Sequence, residues 1–248
     1  MFERHKIVVV MPAYNAAKTL ERTHQEVCAQ GVVDHIIVVD DASSDETVAI
    51  ARSLPQTTVV VHEANLGYGG NQKTCYQAAL EQGADIIIMM HPDYQYTPLL
   101  IPAMAALIGR GLYQCVLGSR ILGGSAQKDG MPWWKYVGNR FLTLVGNLLM
   151  GTKISEFHTG YRAFSRTLLE QLDLKPNSND FVFDNQMLAQ ILWEGHRIGE
   201  ISCPAHYFPE ASSINFGVSV RYGFGCLKTG LEYRLCRMKL MRSMRFPQ

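Results

Sequence analysis

Along the first half of the chain, short β-branched runs alternate with stretches of helical spacing. Residues 6–11, 35–40, 57–62 and 85–90 are continuous apolar runs of strand length, the first ended by Pro12. Between them, 17–29 and 70–82 carry helical patterns, the second closed by Gly83. Ser44 or Asp45 is placed to cap a helix after the second strand, and another helix runs from about Pro98 to Leu107. Apolar strands separated by helices predict an α/β fold with a mostly parallel sheet covered on both faces. Ligands of such sheets bind outside the carboxyl ends of the strands. The segments to inspect are therefore 12–15, 40–45, 63–70 and 91–98.

The second half is less regular. Residues 116–118 and 198–203 read as strands, 131–150 as aromatic-rich helical pieces, and 184–194 as a helix. A further element starts at 160–164, and 218–244 has helical spacing. With no internal repeat or low-complexity linker, the simplest parse is a catalytic domain over 1–217 and a basic amphipathic helical extension over 218–248.

Composition narrows the class. The chain has 248 residues, 47% apolar and 18% charged, a globular balance rather than a disordered one. A formal net charge of +1 gives no bulk-charge argument for nucleic-acid binding, and no nucleic-acid partner is expected. Six cysteines without a CxxC pair argue against a zinc or dithiol site. Without a signal peptide, they predict free thiols in a reducing cytoplasm. No segment approaches the ~18 apolar residues of a membrane span. The nearest, 141–150, contains Asn147.

Three post-strand loops carry candidate chemistry. Asp40 and Asp41 end a buried strand, where a carboxylate needs solvent or a partner; Asp41 is the better ligand candidate, because Asp40 can anchor the loop. Asn65-Leu-Gly67-Tyr-Gly-Gly70-Asn opens a helix, and its glycines permit close backbone approach to a phosphate. It matches neither the GxxxxGK[ST] loop nor the dinucleotide fingerprint, which disfavours kinases and nicotinamide dehydrogenases. Asp93, with Gln95 two residues on, suits an oxygen-coordinated Mg²⁺ or Mn²⁺ that also holds a diphosphate.

Taken in order, Pro12-Ala13-Tyr14-Asn15, Val39-Asp-Asp-Ala-Ser-Ser-Asp45, the glycine-rich turn and His91-Pro-Asp93-Tyr-Gln95-Tyr-Thr-Pro98 resemble the family-2 glycosyltransferases. Gly118-Ser-Arg120 and Thr159-Gly-Tyr-Arg162-Ala-Phe164 extend the resemblance over roughly 6–205. Within that family the chain looks like the polyprenyl-phosphate (dolichol-phosphate) sugar synthases. The resemblance implies a GT-A fold and a nucleoside-diphosphate sugar donor. It places Pro12, Ala13, Tyr14, Asn15, Asp40 and Asp41, with Asn65, Gly67, Gly70 and Lys73, around the nucleotide sugar. It puts Asp93 and Gln95 on the metal and diphosphate, and Arg120 and Arg162 on phosphates. The family's first Asp-x-Asp acid is His91 here, a residue that can ligate Mn²⁺ or contact phosphate. Glu156 and His158 stand where the family usually has an aspartate, on the acceptor side with Arg162.

The resemblance supports an inverting, metal-assisted transfer to a polyprenyl phosphate, whose oxygen is already anionic and needs no base. With a saccharide acceptor in cell-surface polysaccharide assembly, Glu156 would be the general base. A catalytically silent GT-A scaffold is the reading from another class, supported only by His91. Trp133, Trp134 and Tyr136 beside Lys135 fit either a membrane-interface element or core against the sheet. The tail 234–246 carries four arginines, one lysine and no acid, an attraction to anionic lipid. The expected location is cytoplasmic and peripheral at the inner membrane face; the basic apolar tail leaves room for a homodimer.

Overall fold

The computed structural model describes residues 4–205, 207 and 216–247. Seven strands form one sheet: β1 (Ile7–Ala13), β2 (His35–Asp40), β3 (Thr57–Val61), β4 (Ile86–Met89), β5 (Cys115–Ser119), β6 (Arg162–Ser165) and β7 (Ile198–Ser202). Their order is β3-β2-β1-β4-β6-β5-β7. Strand β6 alone is antiparallel, lying between β4 and β5.

The strands are apolar along their whole length because successive side chains face different cores. Val8, Val10, Ile37, Val39, Ile87 and Met89 pack on one face with Tyr76, Phe183 and Met187. Ile7, Val9, Met11, Ile36, Val38, Ile86 and Ile88 pack on the other with Leu20, Val27 and Met104. Helices α1 (Leu20–Cys28), α2 (Thr47–Ser53) and α4 (Ile101–Gly109) supply the second face. Helices α3 (Tyr68–Glu81), α6 (Arg166–Gln171) and α7 (Phe183–Trp193) supply the first. The parallel, doubly covered sheet expected from the hydrophobic pattern is present.

Helix α5 (Trp133–Met150) and helix α8 (Phe216–Arg237) pack side by side, with α8 also against α7. Both carry apolar residues on an exposed face, and α8 also buries Cys226, Tyr233 and Cys236. On α5 the buried positions are Asn139, Thr143 and Met150, while Trp133, Val137, Phe141, Leu144 and Leu148 are exposed. On α8, Val220, Phe224 and Leu231 are exposed, while Thr229 and Glu232 are buried.

The tail departs from expectation. Helix α8 stops at Arg237, not near residue 244. Leu240 N–H donates to Leu235 O and Lys239 N–H to Cys236 O, with Lys239 at φ 60°. This is a Schellman stop with lysine in the left-handed position usually held by glycine. Three of the tail's five cations are engaged by the fold, while Lys239 and Arg242 are exposed. Arg234 donates to Leu148 O (2.6 Å) and Arg237 to Trp193 O (2.7 Å), near the carbonyl ends of α5 and α7. Arg245 pairs with Glu232 at 2.7 Å, and Phe246 is buried against Trp193 and Tyr233.

Candidate active site

A cleft of about 830 Å³ opens at the carboxyl ends of the parallel strands. Pro12 and Ala13 at the end of β1, with Tyr14 and Asn15 just beyond it, form one wall. Asn15 is held at φ 51° by accepting from Ser44 N–H (2.9 Å) and donating its own N–H to Ser43 Oγ (2.8 Å). Asp45 accepts from Thr47 N–H and Ala17 N–H, so it knits the loop.

The two strand-end aspartates differ. Asp41 reaches the cleft wall, but its carboxylate braces the glycine-rich turn, accepting from Leu66 N–H (2.8 Å), Gly67 N–H (3.0 Å) and His62 Nδ1 (2.8 Å). Asp40 is fully buried. Its Oδ2 accepts from Ser43 N–H, and its Oδ1 has no partner among the described residues.

The glycine-rich turn is not laid out as a phosphate cradle. Gly69 N–H donates to Asn179 O at 2.8 Å, so another loop already occupies the N-terminus of α3. A Cβ on Gly67, at φ 82°, would lie 2.6 Å from that same carbonyl, and one on Gly70 would lie 2.8 Å from Leu66 Cβ. The glycines make room for protein. Lys73 donates to Asn177 O and Asn179 Oδ1 and, like Gly70, is not on the cleft wall among the described residues. Asn65 and Gly67 do line it.

His91, Asp93 and Gln95 share the wall beyond β4. Gln95 N–H donates to Asp93 Oδ1 (3.0 Å). Sequence reasoning missed the residues behind His91. Tyr68 Oη donates to Asp184 Oδ2 (2.8 Å), Gln72 Nε2 donates to Asp184 Oδ1 (3.0 Å), and Tyr68 Oη lies 3.0 Å from His91 Nε2. With the Tyr68 hydroxyl hydrogen-bonded to Asp184, the tyrosine oxygen accepts from His91 Nε2–H. Burial, reinforced by Asp184, holds the Tyr68 hydroxyl protonated well above its usual range. Gly160 gives the ring its space, since a Cβ there would stand 2.5 Å from His91 Nε2. The sequence signal available for Asp184 was its place at the start of a helix dense in amide side chains (Asn185, Gln186 and Gln190).

The arginines separate. Arg120 lines the cleft, pairs with Glu156 and donates to His158 O (2.9 Å). Arg162 does not reach the cleft wall among the described residues. It is fully buried, with its guanidinium donating to Thr159 O, Asp184 O and Phe157 O. The expected contact of Arg162 with phosphate or acceptor is therefore not made available; three backbone carbonyls and the nearby Asp184 carboxylate (3.6 Å) hold it inside.

Glu156 is also fully buried and accepts from Arg120 N–H (2.7 Å), the Arg120 guanidinium and Asn139 Nδ2 (2.7 Å). Burial works to raise its pKa, but Arg120 and these hydrogen bonds more than offset that and hold it below the ordinary range. Next to this pair, Ser119 Oγ and Ser155 Oγ are 2.7 Å apart, and Ser155 N–H is anchored on Glu200. His158 lines the cleft, with Nδ1 2.6 Å from Tyr222 Oη on α8 and Nε2 buried without a partner among the described residues. Burial lowers its pKa to about 4, so it is neutral at pH 7. Trp134, Leu142 and Val220 complete the far wall.

A mostly parallel sheet with a polar cleft across its strand ends and a helical far wall is the architecture of a GT-A glycosyltransferase. The chain belongs to glycosyl transferase family 2, whose model matches residues 8–173. It is 29% identical to the UDP-N-acetylglucosamine–dolichyl-phosphate N-acetylglucosaminyltransferase of Methanococcus voltae, over 94% of this chain and 96% of that one. Its identity to the polyprenol monophosphomannose synthase of Mycolicibacterium smegmatis is 27%, over 79% of this chain and 76% of that one. In fold it is similar to glucosyl-3-phosphoglycerate synthase from Mycobacterium tuberculosis, solved with UDP (TM-score 0.70, 19% identity, covering 97% of this chain and 82% of that one).

Proposed function

We propose that the protein transfers one sugar, with inversion, from a nucleoside-diphosphate sugar to a polyprenyl phosphate. The Arg120–Glu156 pair carries the choice of acceptor. Glu156 is buried behind Arg120 with its oxygens already accepting hydrogen bonds, so it is not placed to deprotonate a saccharide hydroxyl. A phosphate oxygen arrives anionic and needs no base, and Arg120 offers positive charge on the cleft wall. Two relatives whose names specify dolichyl-phosphate and polyprenol acceptors support the same reading.

The donor lies along Pro12 to Asn15. Asp40, fully buried and off the cleft wall among the described residues, braces Ser43 behind that wall. The residues beyond β4 fit a Mg²⁺ or Mn²⁺ ion. Such ions take one or two carboxylates plus substrate phosphate oxygens and water, and Asp93, with the Gln95 side chain and His91 Nδ1, supplies that kind of set. When bound, the metal would offset charge developing on the leaving diphosphate. Tyr68 and Asp184 fix the His91 ring, and neutral His158 faces the acceptor beside Arg120.

The test is transfer by purified protein from a panel of nucleotide sugars to polyprenyl phosphate with Mg²⁺ or Mn²⁺. Label should enter the lipid from one donor and fall about a hundredfold or more in Asp93→Ala. Donor hydrolysis with label passing only to saccharides would move the acceptor, and no donor consumption by folded protein would make the domain a scaffold.

A further inference from the structure

Helices α5 and α8 present an apolar surface that none of the described residues covers, and it borders the cleft. Trp133, Val137, Phe141, Leu144 and Leu148 are spaced four, four, three and four residues apart, which places them within one quarter of the helix circumference. Trp133 is 71% exposed and Leu148 68%. On α8, Val220, Phe224 and Leu231 form a second stripe, with Phe224 70% exposed.

The helices run parallel, since Gly223 approaches Leu142 and Gly230 approaches Leu149. Their buried positions, Asn139, Thr143 and Met150 on one and Thr229, Glu232 and Tyr233 on the other, all face the domain. Both stripes therefore look outward on the same side. Helical faces in a water-soluble fold ordinarily bury their apolar side, and contiguous exposed apolar area marks an interaction surface.

We propose that this α5–α8 face docks on an anionic lipid bilayer, so that the acceptor phosphate enters the cleft directly from the membrane surface. The inference rests on the lipid-phosphate reading above and adds the surface that meets the lipid. Continuity is the first argument. Val220 belongs both to the outward stripe and to the cleft wall, and Trp134 and Lys135 line the cleft one and two residues beyond Trp133. A lipid whose headgroup sits at Arg120 can keep its chain on apolar side chains all the way out.

Charge is the second. Helix α5 carries Lys135 and Arg140 and no acid, and α8 carries exposed Arg221 and Lys228. The one α8 acid, Glu232, is buried and paired with Arg245. Cations flanking an apolar stripe with tryptophan at one end suit anionic headgroups. Joining two copies through the same face would set like charges together.

The experiment is flotation of the full chain with vesicles of phosphatidylcholine and phosphatidylglycerol, without donor or acceptor, in parallel with transfer to a short water-soluble polyprenyl phosphate. Wild type should float. Phe141→Ser and Leu144→Glu, which lie outside the cleft wall, should each reduce the bound fraction about tenfold or more, with unchanged melting and unchanged transfer to the short acceptor. Wild type remaining in the dense fraction, or variants floating like wild type, would overturn the docking face. So would a wild-type dimer that the same variants split without altering flotation. Flotation lost on substitution, with no transfer to any lipid phosphate, would uphold the docking face while removing the proposed reaction. Transfer without flotation would do the reverse.

Discussion

In the strand half of the molecule, β1 to β4 with α1 to α4, the apolar positions are inside. Ile7 to Met11, Ile36 to Val39 and Ile86 to Met89 are essentially inaccessible, and polar groups gather at the strand ends. In the α5–α8 wall polar groups enter the interior and apolar ones also stand outside. Asn139, Thr143, Glu156 and Glu232 are buried and hydrogen-bonded, while phenylalanine and leucine face outward. Both regions have clear periodicity. Period reports which residues share a face, and only the neighbours decide whether that face meets protein or solvent. Where the inside is polar, a fixed set of hydrogen bonds must replace the packing that a hydrophobic core supplies.

Three substitutions put numbers on that contrast. The largest effect is expected from Glu156→Gln, which leaves the Arg120 guanidinium in a buried setting without its counter-charge. It should lower unfolding free energy by about 3–5 kcal/mol in urea titration, and a stable variant would show that the polar interior of the wall is not held by this pair. Next comes Ile88→Ala in the strand half, where truncating a fully buried aliphatic should cost about 2–4 kcal/mol by the same measurement. The smallest is Leu148→Ser on the wall, expected to change stability in water by no more than about 0.5 kcal/mol, because the side chain gives up little burial. A loss comparable to that of Ile88→Ala would mean the outward face is packed in solution.

The strand half was legible because its signals are local. Run length and β-branching located β1 to β4, and the segments just after them do line the cleft. Four features were not legible, each for a physical reason. Arg162 was expected at a phosphate, but it sits on the antiparallel strand β6, whose insertion between β4 and β5 turns its side chain inward to three backbone carbonyls. The glycine-rich turn looked open to a ligand, yet the carbonyl of Asn179, more than a hundred residues on, accepts from Gly69 N–H and fills it. The basic tail looked like a continuing helix because its stop uses Lys239 where glycine is the usual cue. Asp184 gave no local sign of reaching His91, because the link runs through Tyr68 on a different helix.

Between Ser119 and Glu156 the chain leaves the sheet, builds α5 and returns. Its two ends are pinned where they meet, by the Ser119–Ser155 hydroxyl contact and the Arg120–Glu156 pair. Residues 121–154 are thus a loop closed at its base, and the entropy of closing such a loop grows only logarithmically, by about 0.6 kcal/mol for each doubling of length. A longer or shorter excursion therefore costs little closure entropy so long as the pins and the packing of α5 remain. The strand half can stay constant while this one segment is exchanged, which makes it the natural unit for grafting between related enzymes.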